Sequence, residues 1–173
     1  MAAATLRRLT LYRLRADVQF ADSPLVPSRG LGAAPPGALP DPRHPALGWR
    51  AYGPASGRPG NALPGIDWDA IRVAHCIPES GIELIPDDSY LLESGFERLN
   101  GVDFRKGCYV GQENTARMNW RQKINRRLVV VPVDWSNPDR QRVAYPALGL
   151  AVDHLRLEDI PEGTLPYWIT TAA

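Results

Sequence analysis

Hydrophobic and polar positions change their spacing several times along the chain, and each change predicts an element. Leu6, Leu9 and Tyr12 recur near a helical period, which predicts a short helix ending around Leu11. From there Tyr12, Leu14, Ala16, Val18 and Phe20 alternate with Arg13, Arg15, Asp17 and Gln19, the period of a half-buried strand. Residues 23–65 hold ten of the 17 prolines and eight of the 15 glycines, so long regular elements are excluded there. Within that stretch 47–52 reads as a strand and 30–40 as an exposed loop; Trp49 and Tyr52 set it apart from a disordered linker.

Residues 67–77 predict a helix capped by Asp67 or Asp69, with Trp68, Ile71 and His75 on one face and Pro78 closing it. A strand at 82–85, an acidic turn at 86–88 and a helix at 89–99 with Tyr90, Leu91 and Leu92 partly buried come next. Residues 112–120 continue as helix. Residues 126–133 read as a strand with Pro132 near its end, and 147–157 as a final strand. There is no internal repeat of fixed period.

At 173 residues the chain holds one domain, or one domain plus an appendage. With 44% hydrophobic and 23% charged residues it reads as a soluble globular protein. A net charge of +1 offers no global basic field for nucleic acid. No apolar run approaches the length that crosses a membrane, and the first residues lack the apolar core and cleavage site of a secretion signal. Cys76 and Cys108 cannot frame a small disulfide fold, so free thiols in a reducing cytoplasm are expected. Element counts alone give an α+β fold with a small β appendage.

The densest chemistry lies in Gly101–Glu113. Gly107 and Gly111 flank Cys108 and predict a tight loop leading into a helix. A thiol beside Lys106 and close to a helix N-terminus sits where its pKa should fall, and the thiolate is both nucleophile and metal ligand. Gln112 and Glu113 fall in the first helical turn. Spacing alone leaves Cys108 equally readable as a small buried hydrophobe, and Cys76 is better read that way. Cys76, His75 and Cys108 lack chelating spacing, so no stably bound metal is expected. His44, His75 and His154 are scattered and receive no role. Asp67, Asp69, Asp87 and Asp88 read as cap and turn residues, and Trp49 and Trp68 as core.

Only two lysines, Lys106 and Lys123, stand among 18 arginines. Between 105 and 127 seven cationic residues (Arg105, Lys106, Arg117, Arg121, Lys123, Arg126, Arg127) face one acid, Glu113. This local charge of +6 suits an anionic ligand or an acidic partner, or is a solvated face; nucleic acid ranks last because no recognition motif accompanies it.

Lys106-Gly-Cys-Tyr-Val-Gly-Gln-Glu113 resembles the KGCYxGQE motif of the YgfZ-type folate-binding, iron–sulfur cluster assembly and repair proteins, relatives of the glycine-cleavage aminomethyltransferase. Gly101-Val-Asp-Phe104 before it, Thr115-Ala-Arg-Met118 after it and Arg126-Arg-Leu128 extend the likeness. So do Asp41-Pro-Arg43 with Leu47-Gly-Trp-Arg50, Arg72 with Ile77-Pro78, Glu93, and the Tyr12–Asp17 stretch. The match covers 5–135 well and 145–168 loosely. Cys76 departs from it by replacing a glycine, Asn119–Lys123 by replacing a His and Gly-rich turn, and the family's N-terminal portion has no counterpart.

The resemblance implies a partial aminomethyltransferase-like folate-binding domain over 1–127, α+β with a mixed or antiparallel sheet and flanking helices. It implies a shortened, β-barrel-like C-terminal segment over 128–173. It further implies a folate-binding accessory protein of iron–sulfur cluster assembly or repair, working in the cytoplasm with assembly proteins or client enzymes and with tetrahydrofolate as cofactor. Cys108 is then the functional thiol and Lys106 the residue that lowers its pKa. Arg72, Glu113, Gln112, Tyr109, Gly107 and Gly111 contact folate or shape the loop. A folate-dependent aminomethyl transferase and a fragment that is non-functional or depends on a partner chain are the alternatives.

Overall fold

Two three-stranded antiparallel sheets and three α-helices form the described part of the chain. The computed structural model describes residues 2–54, 65–108, 111–121 and 124–160. In chain order the elements are α1 (Ala2–Tyr12), β1 (Leu25–Gly30), β2 (Leu39–Pro40), β3 (Trp49–Pro54), α2 (Trp68–Ala74), α3 (Glu113–Arg121), β4 (Arg126–Pro132), β5 (Gln141–Tyr145) and β6 (Leu150–Arg156). The mixed α and β content agrees with the expected class.

The first sheet has the order β1-β3-β2. Its centre, β3, is the strand expected at 47–52, displaced to begin at Trp49 because Pro45–Leu47 close a 3-10 turn. Asp41, buried, holds the turn together. One carboxylate oxygen accepts from the backbone N–H and Nε of Arg43 at 3.0 and 3.1 Å, and the other from Arg43 Nη2 at 3.0 Å and Arg50 Nε at 2.5 Å. Burial alone would raise its pKa, but these hydrogen bonds outweigh burial and lower it. The Asp-Pro-Arg and Leu-Gly-Trp-Arg elements are therefore two ends of one ionic knot.

The second sheet has the order β4-β6-β5, and it is buried on both faces. Strand periodicity sends Val129 and Val131 to one side, against Ala151, Leu155 and Ile160. Leu128 and Val130 go to the other, with Val152 against Cys76. Two buried faces explain why this strand reads as a continuous apolar run rather than an alternation. Among the described residues the sheet is open, with three strands and no barrel closure, which corrects the barrel-like expectation for 128–173.

Three local expectations fail. Residues 13–20 form no strand and are exposed throughout; α1 runs on to Tyr12, Leu14 turns at φ 48°, and no described strand pairs with the segment. Residues 82–85 form a turn with an isolated Ser80–Leu84 bridge. Gly81 (φ 81°) reverses the chain so that Glu83 points inward while Ile82 and Ile85 face out, the opposite of the hydrophobic pattern. Residues 89–99 are successive turns, not a helix, because Gly95 and Asn100 take positive φ (76° and 56°). Of the three residues expected to be partly buried there, Leu92 is fully buried and Tyr90 and Leu91 are exposed.

Helix α2 forms as expected, with the Asp67 carboxylate accepting from Ala70 N–H at 2.8 Å. It ends in a paired reversal: Cys76 N–H donates to Val73 C=O and Ile77 N–H to Arg72 C=O. Cys76 therefore sits at φ 47°, the left-handed region that glycine fills at lowest cost. This accounts physically for the glycine that the resemblance expects at this position.

Candidate functional site

The motif loop stands on an Asp103 turn. The Asp103 carboxylate accepts from Arg105 N–H at 2.8 Å, a bond that holds its carboxyl below the usual range. Gly111 takes φ 87° just before α3, so a side chain there would be strained. Cys108 is exposed, in contrast to the buried alternative. The helix begins at Glu113, five residues further on, so Cys108 lies outside its first turn. Cys108, Lys106 and Gln112 line a cavity of about 190 Å³ together with Phe104, Ala116 and Trp120. Glu113 lines a neighbouring hollow with Arg117 and Trp120. Tyr109 lies outside the described residues.

The basic cluster divides. Arg105, Lys106 and Arg117 surround the loop and α3, exposed. Arg126 lines a separate cavity with Arg140, Arg142 and His154. Arg127 is half-buried, and burial lowers its pKa. Lys123 and the Arg121 side chain lie outside the described residues.

Arg72 occupies a different place again. It is buried at the last turn of α2, and all five of its N–H groups are used internally. Nε donates to Asp69. Nη1 donates to the Glu83 carboxylate at 2.7 Å and to Ile77 C=O at 3.2 Å. Nη2 donates to Asp69 at 3.0 Å and to the Tyr145 hydroxyl at 2.6 Å. Tyr145 in turn donates to Glu83. Burial alone would lower the Arg72 pKa; the bonds to Glu83, Tyr145 and Asp69 outweigh it and raise it. Burial, then the bond to Glu83, pushes Tyr145 up to about 12. Cys76 lies beside this cluster, its thiol donating to Leu128 C=O at 3.5 Å, and burial pushes it up to about 11.

Glu83 and Tyr145 escaped sequence reasoning because their partner Arg72 is 11 and 73 residues away. The inward turn forced by Gly81 was the one usable signal. His154, expected to have no role, donates from Nε2 to the Glu93 carboxylate across 61 residues at 2.7 Å, with Arg142 donating to its Nδ1. No group of three or more His, Cys, Asp or Glu residues that could hold a metal occurs among the described residues.

Among the described residues neither the Cys108 cavity nor Arg72 offers a ready-made folate pocket. The Cys108 cavity is smaller than the 300–1,000 Å³ usual for a drug-sized ligand. Arg72 has no N–H left to donate, so it would have to break with Glu83 or Tyr145 to meet a pterin or carboxylate.

No family model matches the chain. Among curated proteins it is 36% identical over 153 residues to the mitochondrial iron-sulfur cluster assembly factor IBA57 of Homo sapiens, a match covering 76% of this chain and 42% of that protein. It is 40% identical over 97 residues to the mitochondrial homologue of Neurospora crassa, covering 53% of this chain and 22% of that protein. The Mus musculus protein is 38% identical over 102 residues, covering 57% and 28%. The chain thus spans less than half the length of these relatives. The relatives carry mitochondrial names, which overturns the cytoplasmic expectation: free thiols mark a reducing compartment without saying which one.

Proposed function

Because the chain belongs to the YgfZ-type family of the IBA57 iron–sulfur cluster assembly factors, we propose that it serves iron–sulfur cluster assembly or repair in mitochondria as a binding protein whose working group is the Cys108 thiol. The observation that carries this reading is the exposed Cys108, set with Lys106 and Gln112 at a small cavity within the family's most specific motif. An exposed thiol can meet a cluster or a partner's thiol directly, whereas a buried one cannot. Lys106 supplies positive charge next to the site where a thiolate forms. Gly107 brings no side chain to the position before the thiol, and Gly111 lets the chain turn at φ 87° into α3. Partners are assembly proteins or client enzymes, which approach the Cys108 face.

Tetrahydrofolate stays in the proposal on family likeness alone, and no step is derived through it. Its contacts would fall to Gln112, Glu113 and Tyr109, and to Arg72 only after an exchange of partners. The aminomethyltransferase-like fold and a division near residue 128 belong to the same proposal.

The deciding experiment expresses the chain and its Cys108→Ala variant in cells depleted of their own assembly factor and reads the activity of cluster-dependent enzymes. The expected outcome is rescue by the chain and none by the variant at equal abundance. Equal rescue by both removes the thiol from the proposal. A thermal scan with tetrahydrofolate tests the folate part separately, since a ligand bound only by the folded state raises the midpoint.

A further inference from the structure

We infer that the cavity at the end of the second sheet, which shares no lining residue with the Cys108 cavity, is a binding site for a small multiply charged oxyanion. The cavity measures about 360 Å³. Part of its lining is a half-buried polar chain: His154 and Glu93 are hydrogen-bonded at 2.7 Å, and Arg142 Nη2 meets His154 Nδ1 at 3.2 Å. Arg142 is there because of a β-bulge. The register of β5 against β6 slips between Gln141 and Val143, which leaves Arg142 as the extra residue. Bulges of this kind re-aim a side chain, and this one turns a guanidinium into the cavity, where Asp88 anchors it at 2.5 Å.

The charge count then separates committed from uncommitted groups. Asp88 is ion-paired with Arg142, and Glu93 is hydrogen-bonded to His154, whose pKa burial lowers. Arg126, from the start of β4, and Arg140, just before β5, also line the cavity. Neither guanidinium has a hydrogen-bonding or ionic partner among the described residues. Asp139 is the one lining acid left uncommitted. Two guanidiniums without partners that line one cavity, where Asp88 and Glu93 already hold Arg142 and His154 and Asp139 is the one remaining acid, offer N–H groups to carboxylate or phosphoryl oxygens. The ligand class is a small di- or trianion of either kind.

The test is a thermal scan and a titration of the purified chain at constant ionic strength, with citrate as the carboxylate probe and inorganic pyrophosphate as the phosphoryl probe. A saturable rise in midpoint with one probe or both is expected, and the stronger of the two names the source. Arg140→Gln and Arg126→Gln should each weaken binding by about tenfold or more. Arg15→Gln, an exposed arginine elsewhere, should leave binding unchanged. Arg140 is exposed and its side chain makes no bond, so that variant folds and keeps the test open if Arg126→Gln does not. No saturable shift with either probe overturns the inference. So does undiminished binding in Arg140→Gln, or equal weakening by Arg15→Gln, which would mean diffuse charge attraction. None of these outcomes depends on the role of Cys108.

Discussion

The two cysteines sit in regions built on opposite principles. Around Cys76 the chain is closed: Arg72 spends every N–H on internal acceptors, Glu83 and Tyr145 complete the cluster, and the thiol itself touches Leu128 C=O. Around Cys108 the chain is open: an exposed thiol in a loop with positive φ at Gly111, followed by a helix that ends near an exposed Trp120. The first region joins α2 to the second sheet and holds the fold. The second adds little burial and leaves its reactive group accessible. A sequence motif can mark either kind of place, and only the network of partners tells them apart.

Breaking the closed region should produce the largest effect. Glu83→Leu leaves the Arg72 charge buried without its main partner, and should cost about 3–5 kcal/mol in denaturant unfolding. Pairing it with Arg72→Met should recover part of that loss, because the uncompensated charge goes too. A loss below about 1 kcal/mol for Glu83→Leu alone would show that the cluster does not hold the junction.

Next in size is Gly48→Ala. Gly48 sits at φ 65°, and an added Cβ would lie 2.1 Å from the Gly30 carbonyl oxygen, a backbone atom that cannot step aside cheaply. The expected cost is about 2 kcal/mol or more, read from the unfolding midpoint.

These two positions also mark how far the sequence could be read. Gly48 lay inside a motif already suspected, and the strand after it, helix α2 and strand β4 were legible from period and caps. Strands β1, β2 and β5 were not. β1 and β2 are rich in proline and small residues, and β5 carries a bulge that breaks its alternation. The strand expected at 12–20 shows the converse failure: alternation is necessary for a half-buried strand, but a partner must exist. At the candidate site the loop into α3 and Cys108 were legible, because glycine spacing is local. The Arg72–Glu83–Tyr145 and Glu93–His154 contacts were not, because tertiary pairing over 11 to 73 residues leaves no period.

A smaller effect sharpens the comparison through pH. Tyr145 rises in the folded chain from an ordinary 10 to about 12, and Cys76 from 9 to about 11. A neutral acid with a raised folded pKa lends stability that is whole below the unfolded value and lost as pH climbs through the folded one. Stability should therefore hold up to about pH 9 and fall progressively toward pH 12. Tyr145→Phe should flatten the upper part of that fall, and Cys76→Ala the lower part. An identical alkaline profile in both variants would place its cause elsewhere.

The smallest expected stability effect belongs to Cys108→Ala. An exposed loop thiol buries little, so the unfolding free energy should change by no more than about 0.5 kcal/mol. Its chemical effect should be complete. In a titration with an aromatic disulfide reagent at pH 8, the native chain should show one fast thiol, and the second should react only with unfolding, since burial both shields Cys76 and keeps it protonated. Cys108→Ala should abolish the fast phase and leave the slow one untouched. Two fast thiols would mean that the region around Cys76 opens readily, and the contrast between a closed junction and an open loop would collapse. No fast thiol would mean that the Cys108 loop is covered in solution, and its proposed role in meeting a cluster or a partner would fall with it.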